Sequence, residues 1–472
     1  MSTFSGLNAA TTALWSQRRA LDVTGQNIAN VNTDGYSRQR ADLQAIGGSP
    51  VPAFYSTSPG IGAGVSAEGV TRIRDAFLEG RGHTERANSA RLAAETDAYT
   101  QVESAFREPG DTGIQSLMGE MWAAWGDVDN GPHELATRGQ VIEKLDTLVG
   151  GLQFSHASMG TQWKQTRENL GVLVSDVNKA AETVATLNGA IQRATQAGLP
   201  ANDLTDQRDL LIMRLAEQVG AVVRPAKDGM LDVVVGGMSL VTGKTASTLT
   251  VAGSLSPDTV AGDPPRLITE SGGFTVQAGG TAAGQLHALK TIIPDSRAAL
   301  DAFANNLATA INTQHKLGYD LDGNLGGDVL GTGDPLIPLT AATIGVLISD
   351  KREIAASKIA PSGVPLTPAL DSSNADEIGQ LRLLPTGPDA NYRAMIVELG
   401  VQAAVADRNH GIQQVITTQV DAARESVAGV NLDEEMTNML SFQHAYSAAG
   451  RLVTAIDETL DVLINRTGLV GR

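Results

Sequence analysis

Apolar residues near the start of the chain keep a seven-residue rhythm, Leu7, Leu14, Leu21 and Ile28, with Phe4, Ala10, Thr24 and Val31 on a neighbouring stripe. This spacing predicts an amphipathic helix with a heptad seam. The turn-rich cluster Asn32-Thr33-Asp34-Gly35 should end it near residue 31. The far end of the chain repeats the period through Leu432, Met439, Tyr446, Val453 and Leu460, joined three residues on by Phe442, Ala449, Ile456 and Leu463. Two such helices can hide their stripes against each other or against neighbouring subunits, and we read the termini as a pair. Periodicity alone leaves an ordinary antiparallel helix pair within one globular domain equally open. Burial of one Leu or Val contributes roughly 1.5–3 kcal/mol against the entropy of ordering both segments, so an isolated pair is expected to be marginal and to gain order in an assembly.

Residues 75–220 carry helical spacing around Leu117, Met118, Trp122 and Trp125, then Val141, Leu145 and Leu148, then from Trp163 to Thr195 and Leu204 to Val219. These helices are expected to bundle. Trp122 and Trp125, three apart on one helix, read as core and not as a sugar-stacking platform. From Ala221 to Gly284 the texture changes to short apolar runs, such as Val222-Val223, Leu231 to Val235 and Leu240-Val241, broken by Gly, Pro, Asp and Ser. That predicts a β-rich surface insert with Asp228-Gly229 as a hairpin turn. Helical pattern returns at Ala283 to His315 and Tyr392 to Val427, around a loop and strand region near 320–390. The expected fold class is mainly α with a β insert. Its parts are a terminal coiled-coil domain (1–40 and 429–472), a discontinuous helical bundle (41–220 and 285–428) and the β-rich insert (221–284). This nested order predicts an elongated molecule whose ends lie close together.

With 472 residues, 42% of them hydrophobic, the chain has material for two or more cores. Only 4% are aromatic, so burial must come from small and aliphatic side chains, which favours long, closely packed helices. A formal net charge of -17 repels phosphate and argues against nucleic acid as a partner. The chain has no cysteine, so disulfides and thiolate metal sites are excluded; this also suits a protein that is exported unfolded. Met1-Ser2-Thr3-Phe4-Ser5-Gly6 shows no basic region followed by an apolar run, and no stretch reaches the ~18 apolar residues of a membrane span. An extracellular location would need another export route, and membrane insertion is not expected.

Candidate chemistry is sparse. Asp320, Asp322 and Asn324 alternate as in a calcium loop, but Gly323 is displaced and no closing Glu follows. Pro59-Gly60-Ile61-Gly62-Ala63-Gly64 lacks the strand and helix flanks of a phosphate cradle and reads as a turn. The histidines (His83, His133, His156, His287, His315, His410 and His444) have no spacing that puts two ligands on one helix face, and no G-x-S-x-G elbow occurs. No catalytic residue, cofactor or metal is expected.

The most informative stretch is residues 27–40, NIANVNTDGYSRQR. Gly35 can turn the chain out of the helix, and Tyr36 and Arg38 can anchor it, one by a ring with a polar tip, the other by charged hydrogen bonds. Near the other end stand GVNLDEE (429–435) and FQHAYSAAGR (442–451), with Asn431 as helix N-cap and Asp433-Glu434-Glu435 in the first turn, where the helix dipole favours negative charge. The first stretch closely resembles the N-terminal signature of bacterial flagellar rod, hook and hook-associated proteins, and Gly35-Tyr36-Ser37-Arg38-Gln39 is similar to the form typical of the hook-associated protein 1 family. The second pair of words resembles that family's closing helix. The word INTQHKLGYDLDGN (311–324) is a weaker likeness, with Asp322 where the family usually has Asn.

The resemblance implies a structural adaptor at the hook–filament junction of the bacterial flagellum, without enzymatic activity and secreted through the flagellar type III export channel. Implied partners are a ring of self-copies, the hook protein, the second hook-associated junction protein, and a cytoplasmic export chaperone on the C-terminal helix. The expected assembly interface comprises Leu7, Leu14, Leu21, Ile28, Asn30, Asn32, Gly35, Tyr36 and Arg38, with Leu432, Met439, Phe442, Tyr446, Val453, Ile456, Leu460 and Leu463 from the other end. Two alternatives are another axial protein of hook or rod type and, from a different class, a wall-degrading enzyme with axial termini. The second is disfavoured because the insert at 221–284 is too small for a two-carboxylate cleft.

Overall fold

The computed structural model describes residues 3–47, 62–363 and 370–466. Met1, Ser2 and Pro59-Gly60-Ile61 of the glycine run lie outside the described residues. In chain order the elements are α1 (Thr3–Ala29), β1 (Gln39–Ile46), β2 (Gly64–Arg72), α2 (Ala76–Phe106), α3 (Ile114–Asn130), α4 (Leu135–Gln196) and α5 (Asn202–Val219). Short strands follow: β3 (Val222–Pro225), β4 (Leu231–Val235), β5 (Met238–Thr242), β6 (Thr245–Ala246), β7 (Leu249–Ala252), β8 (Arg266–Thr269) and β9 (Thr275–Val276). Then come α6 (Gly280–His287), α7 (Ile293–His315), β10 (Leu330–Gly331), β11 (Gly345–Val346), α8 (Ser373–Gln380), α9 (Pro388–Ala428) and α10 (Leu432–Asp461). The fold is mainly α with small sheets in the middle of the chain, as the patterning predicts.

The chain divides into two compact units. The first comprises Met1–Ala87, Val177–Ser247 and Val415–Arg472. Here α1 packs against α10 and against the antiparallel ribbon β1–β2, so the termini do pair. The ribbon, in which Gln39 faces Arg72 and Ile46 faces Gly64, was not expected as strands, and from residue 41 it falls within the bounds given to the helical bundle domain. Its signal was the alternation of Ala41, Leu43 and Ala45 with Arg40, Asp42 and Gln44, too short to stand out beside the long helices. The sheet β3-β4-β5-β6 completes this unit, with the expected turn at Asp228 (φ 55°) and Gly229 (φ 75°) between β3 and β4. Fully buried Asn188 on α4 holds that sheet, donating from Nδ2 to Leu231 O at 2.7 Å and to Gly243 O at 2.8 Å.

The second unit comprises Asn88–Asp176 and Thr248–Gln414. The β-rich stretch is therefore not one insert, because the three-stranded sheet β7-β8-β9 belongs here. Several of the large side chains in this core have their polar atoms satisfied. Trp163 Nε1 donates to Leu289 O at 2.9 Å, and Trp122 Nε1 donates to Asp389 Oδ2 at 2.7 Å. Trp125 is fully buried with no hydrogen-bond partner for its Nε1 among the described residues, so both members of the Trp122 and Trp125 pair are core. Tyr392, 1% exposed, stacks at a tilt 5.1 Å from Phe303 and donates to Glu108 Oε1 at 3.0 Å; burial and then the Glu108 charge hold its hydroxyl well above the usual tyrosine range.

Trp122→Phe keeps most of the packing but leaves buried Asp389 with only Gln115 Nε2, at 3.3 Å. The expected loss is about 1–3 kcal/mol, read from the urea midpoint at unchanged slope. An unaltered midpoint would mean that the indole N–H contributes nothing to this core.

Candidate functional site

Asn27 lies on the last turn of α1 and is 1% exposed. Its carboxamide fills every hydrogen-bonding valence it has. Nδ2 donates to Gln39 O at 2.9 Å and to Glu435 Oε2 at 3.0 Å. Oδ1 accepts from Gln39 N at 2.9 Å and from the Tyr36 hydroxyl at 2.8 Å. One side chain thereby joins the end of α1, the start of β1 and the first turn of α10.

The loop between α1 and β1 is shaped for this contact. α1 stops at Ala29, two residues before the expected end, and Thr33 N closes a turn on Asn30 O at 2.9 Å. Gly35 then takes φ +79°, where a side chain would be strained and its Cβ would stand 3.2 Å from Leu210 Cβ. That reversal brings Tyr36 back over α1. Burial, followed by the negative charges of Asp206, Asp203 and Glu435, pushes the Tyr36 hydroxyl up to about 12, so it remains a donor.

Arg38 makes the second bond to α10. Its Nε donates to Glu435 Oε1 at 2.8 Å and its Nη1 to Glu434 Oε2 at 2.7 Å, while its backbone N donates to Ala428 O at 2.9 Å. Glu435 is 2% exposed, so its charge is acceptable only because Asn27 and Arg38 occupy both oxygens. Asn431 caps α10 as expected, its Oδ1 accepting from Asp433 N at 2.9 Å and Glu434 N at 3.3 Å.

From this joint a relay of alternating charges runs through the rest of the first unit. Ser37 N donates to Asp206 Oδ2 at 3.1 Å, and Arg72 Nη1 bridges Asp206 Oδ1 at 2.7 Å and Asp209 Oδ2 at 2.9 Å. Burial would lower the Arg72 guanidinium, but Asp209 and Asp206 outweigh it and hold the group above the ordinary arginine value. Arg74 joins Asp209 to Glu79, and Arg424 Nη2 donates to Glu79 Oε2 at 2.8 Å. Asp421 then links Arg424 to Arg86, whose Nη1 reaches Glu217 Oε1 at 2.7 Å. The relay ties together α5, β2, the start of α2 and the end of α9. It is a joint, with each carboxylate already held by an arginine.

Gly35, Tyr36 and Arg38, expected at an assembly interface, meet at this joint. Asn30 and Asn32 do not: Asn30 Nδ2 donates to Gln26 O at 2.9 Å within its own helix end, and Asn32 is exposed. Leu7, Leu14, Leu21 and Ile28 are half-buried, and the fully buried positions on α1 are Ala10, Ser16, Ala20, Thr24 and Asn27. On α10, Met439, Phe442, Val453, Ile456 and Leu460 are half-buried, whereas Leu432 and Tyr446, and Leu463 just beyond its end, are exposed. Met436, Leu440 and Leu452 are further exposed apolar side chains on α10. Sequence reasoning missed Asn27, Asp206, Arg72 and Asp209. The one available signal was a polar residue, Asn27, set among small residues on the inward face of α1. Among the described residues no group of three or more His, Cys, Asp or Glu side chains is arranged to hold a metal ion, and no helix is long and apolar enough to cross a membrane.

Three family descriptions match the chain: "Flagella basal body rod protein" at residues 7–36, "Flagellar hook-associated protein FlgK helical domain" at 99–330, and "Flagellar basal body rod FlgEFG protein C-terminal" at 424–466. The chain is 31% identical to flagellar hook-associated protein 1 of Bacillus subtilis over 510 aligned residues that cover the whole of both chains. It is 25% identical to the protein of the same name from Escherichia coli, with 98% of each covered. Among solved structures, the flagellar hook junction protein FlgK from Burkholderia pseudomallei superposes with a TM-score of 0.62 at 15% identity, covering 74% of this chain and 100% of that one, a likeness of fold. Asn27 and Tyr36 lie in the first matched segment, and Arg424 and Glu435 in the last.

Asn27→Ala removes four hydrogen bonds at once and is expected to destabilise the first unit by at least about 2 kcal/mol, while Tyr36→Phe costs nearer 1 kcal/mol. Urea denaturation followed by near-ultraviolet circular dichroism reads both. A loss below about 0.5 kcal/mol for Asn27→Ala, the size of an ordinary surface change, would show that the joint does not hold the helix ends.

Proposed function

The chain belongs to the flagellar hook-associated protein 1 family, and from that premise we infer how its geometry serves the junction. It is a structural component of the bacterial flagellum and acts as the adaptor between hook and filament. Axial proteins of this kind self-assemble and contact hook components. The relatives are structural proteins, and we read this chain likewise as working by assembly and without catalysis.

The observation that carries this reading is the set of exposed apolar side chains on α10, where Met436 is 58% exposed, Leu440 55% and Leu452 50%, while α1 displays Trp15 at 79%. Covering a side chain of this size contributes roughly 1.5–3 kcal/mol, so neighbours that cover several of them supply the order that a lone helix pair lacks. In our reading those neighbours are copies of this chain in a ring, the hook protein on one side and the second junction protein on the other. The buried joint at Asn27 sets the direction in which α1 and α10 leave the rest of their unit, so each copy presents the same exposed side chains to its neighbours. Before assembly, these exposed side chains would be masked by a cytoplasmic export chaperone. The absence of cysteine suits passage through a type III export channel to an extracellular site, and the net charge of -17 suits neither nucleic acid nor an anionic membrane. A hook- or rod-type protein accounts less well for the match over 99–330, and nothing in the joint resembles the two-carboxylate site of a wall-degrading enzyme.

A chain lacking residues 433–472 should leave cells with hooks but without attached filaments when viewed by electron microscopy. The full-length double variant Leu440→Glu, Leu452→Glu, which spares the buried contacts, should do the same while folding as a monomer. Filaments attached normally in both strains would defeat the adaptor reading.

A further inference from the structure

The word at residues 311–324 is not used by the junction, yet its side chains are set with unusual economy. Asn312 and His315 face the same way from the last turn of α7. Asn312 Oδ1 accepts from Val329 N at 2.8 Å and Leu330 N at 3.0 Å, while its Nδ2 donates to Leu330 O at 2.7 Å. His315 is fully buried, and its two ring nitrogens meet backbone groups of opposite polarity. Nδ1 donates to Gly327 O at 2.8 Å, and Nε2 accepts from Ala355 N at 2.8 Å. Only the neutral ring with its proton on Nδ1 satisfies both. A second proton would sit on Nε2 and point at the N–H of Ala355. Because that amide can only donate, the contact would turn from attraction to repulsion.

The groups around the ring are fixed. α3 supplies the edge of Trp125, with ring centroids 6.3 Å apart. α4 supplies Arg138, 2% exposed, which donates to Ile354 O and, at 2.7 Å, to Pro132 O. α8 supplies Asn374, whose Nδ2 donates to Ala355 O at 2.6 Å. The connecting loop supplies Asp320 and Asp328, but Asp320 already accepts from Asp322 N and Asn324 N, both at 2.8 Å, and Asp328 pairs with Lys316 at 2.6 Å. Arg352, in the segment that bears Ala355, is engaged with Asp322. Gly326 lies against the ring, where any side chain would meet Nδ1 at 2.7 Å. Burial, with the nearby Arg138 charge, disfavours the protonated ring, against which Asp328 and Asp320 and the Gly327 carbonyl act in part.

We propose that His315 is a proton-sensitive clasp, which in its neutral form hangs the loop segment 318–359 on the end of α7 and on protonation releases it. The sign follows from the ring's preference. The closed form holds the imidazole neutral below its usual value near 6.5, while the released form titrates near that value, so closure is complete above about pH 6.5 and weakens as pH falls. One proton taken up on opening makes the opening constant rise up to tenfold per pH unit below that point. This device goes beyond the adaptor role and does not depend on it.

Hydrogen exchange of the full chain tests it, with mass-spectrometric readout of peptides between residues 318 and 359 from pH 7.5 to pH 5 and correction for intrinsic exchange. Protection of this segment should fall about tenfold per pH unit below 6.5, while peptides from α3 and α4 hold steady. In His315→Gln, whose amide can donate to Gly327 O and accept from Ala355 N without titrating, protection should be flat with pH. Nitrogen chemical shifts of the ring in the unaltered chain give a second readout, with the Nδ1–H tautomer expected at pH 7. The proposal is overturned by protection independent of pH in the unaltered chain, by equal pH dependence in both chains, or by a ring protonated on both nitrogens while the segment stays protected.

Discussion

Everything in the first unit turns on a single carboxamide whose four hydrogen-bonding valences are all used inside the protein. Asn27 touches three segments that are far apart in the chain, Gln39 on β1, Tyr36 in the turn before it and Glu435 on α10. A buried amide in this position is costly if any partner is missing, because water cannot replace it. The constraint therefore works as a registration device: α10 can dock on α1 in one register, the one that presents Glu435 to Asn27 and Arg38. Apolar stripes alone would tolerate a slip by one heptad, which exchanges one Leu for another at little cost. The polar joint makes such a slip unfavourable, a role well attested for single buried asparagines in helix pairs.

The charge relay behind the joint answers a different need. In a chain with 52 acidic and 35 basic residues, carboxylates crowded near a helix junction would repel one another. Arg72, Arg74, Arg424 and Arg86 each stand between two acids, so the surplus charge is spent locally in pairs that are largely shielded from solvent. Pairs of this kind contribute little net stability once desolvation is counted, but removing one member leaves its partner buried and uncompensated. Their effect is to stiffen the seat on which the terminal helices stand, while the helices themselves keep apolar faces open. A rigid seat bearing incomplete helices is what a self-assembling axial protein requires: fixed direction, with the last of the order supplied by neighbours.

The long helices, their pairing at the termini, the turn at Asp228-Gly229 and the cap at Asn431 were all legible in the sequence, because each leaves a local or periodic trace. The side of α1 that is buried was not. The eye follows Leu7, Leu14 and Leu21, yet close approach of α10 and the ribbon selects small residues, and Ala10, Ala20 and Thr24 carry the inner face. The joint was half legible: Gly35, Tyr36 and Arg38 stood out by motif, whereas Asn27 looked like one more polar residue in a helix. Asp206 and Arg72 lie 134 residues apart, and a pair so distant leaves no pattern in one sequence. The split of the β-rich stretch into two sheets was hidden for a related reason, since strand patterning reports which residues extend but not which neighbours they join.

The central claim is that order in the terminal helices is anchored at the joint and completed only by neighbouring copies. Residue-resolved hydrogen exchange on the free, full-length monomer measures this directly. The account predicts a gradient, with amides of residues 20–29 and 435–442 slowest and protection fading toward residues 5–12 and 450–461, where half-buried and exposed apolar side chains await partners. Uniformly high protection along both helices in the isolated monomer would contradict it, because the pair would then need no neighbours to be complete.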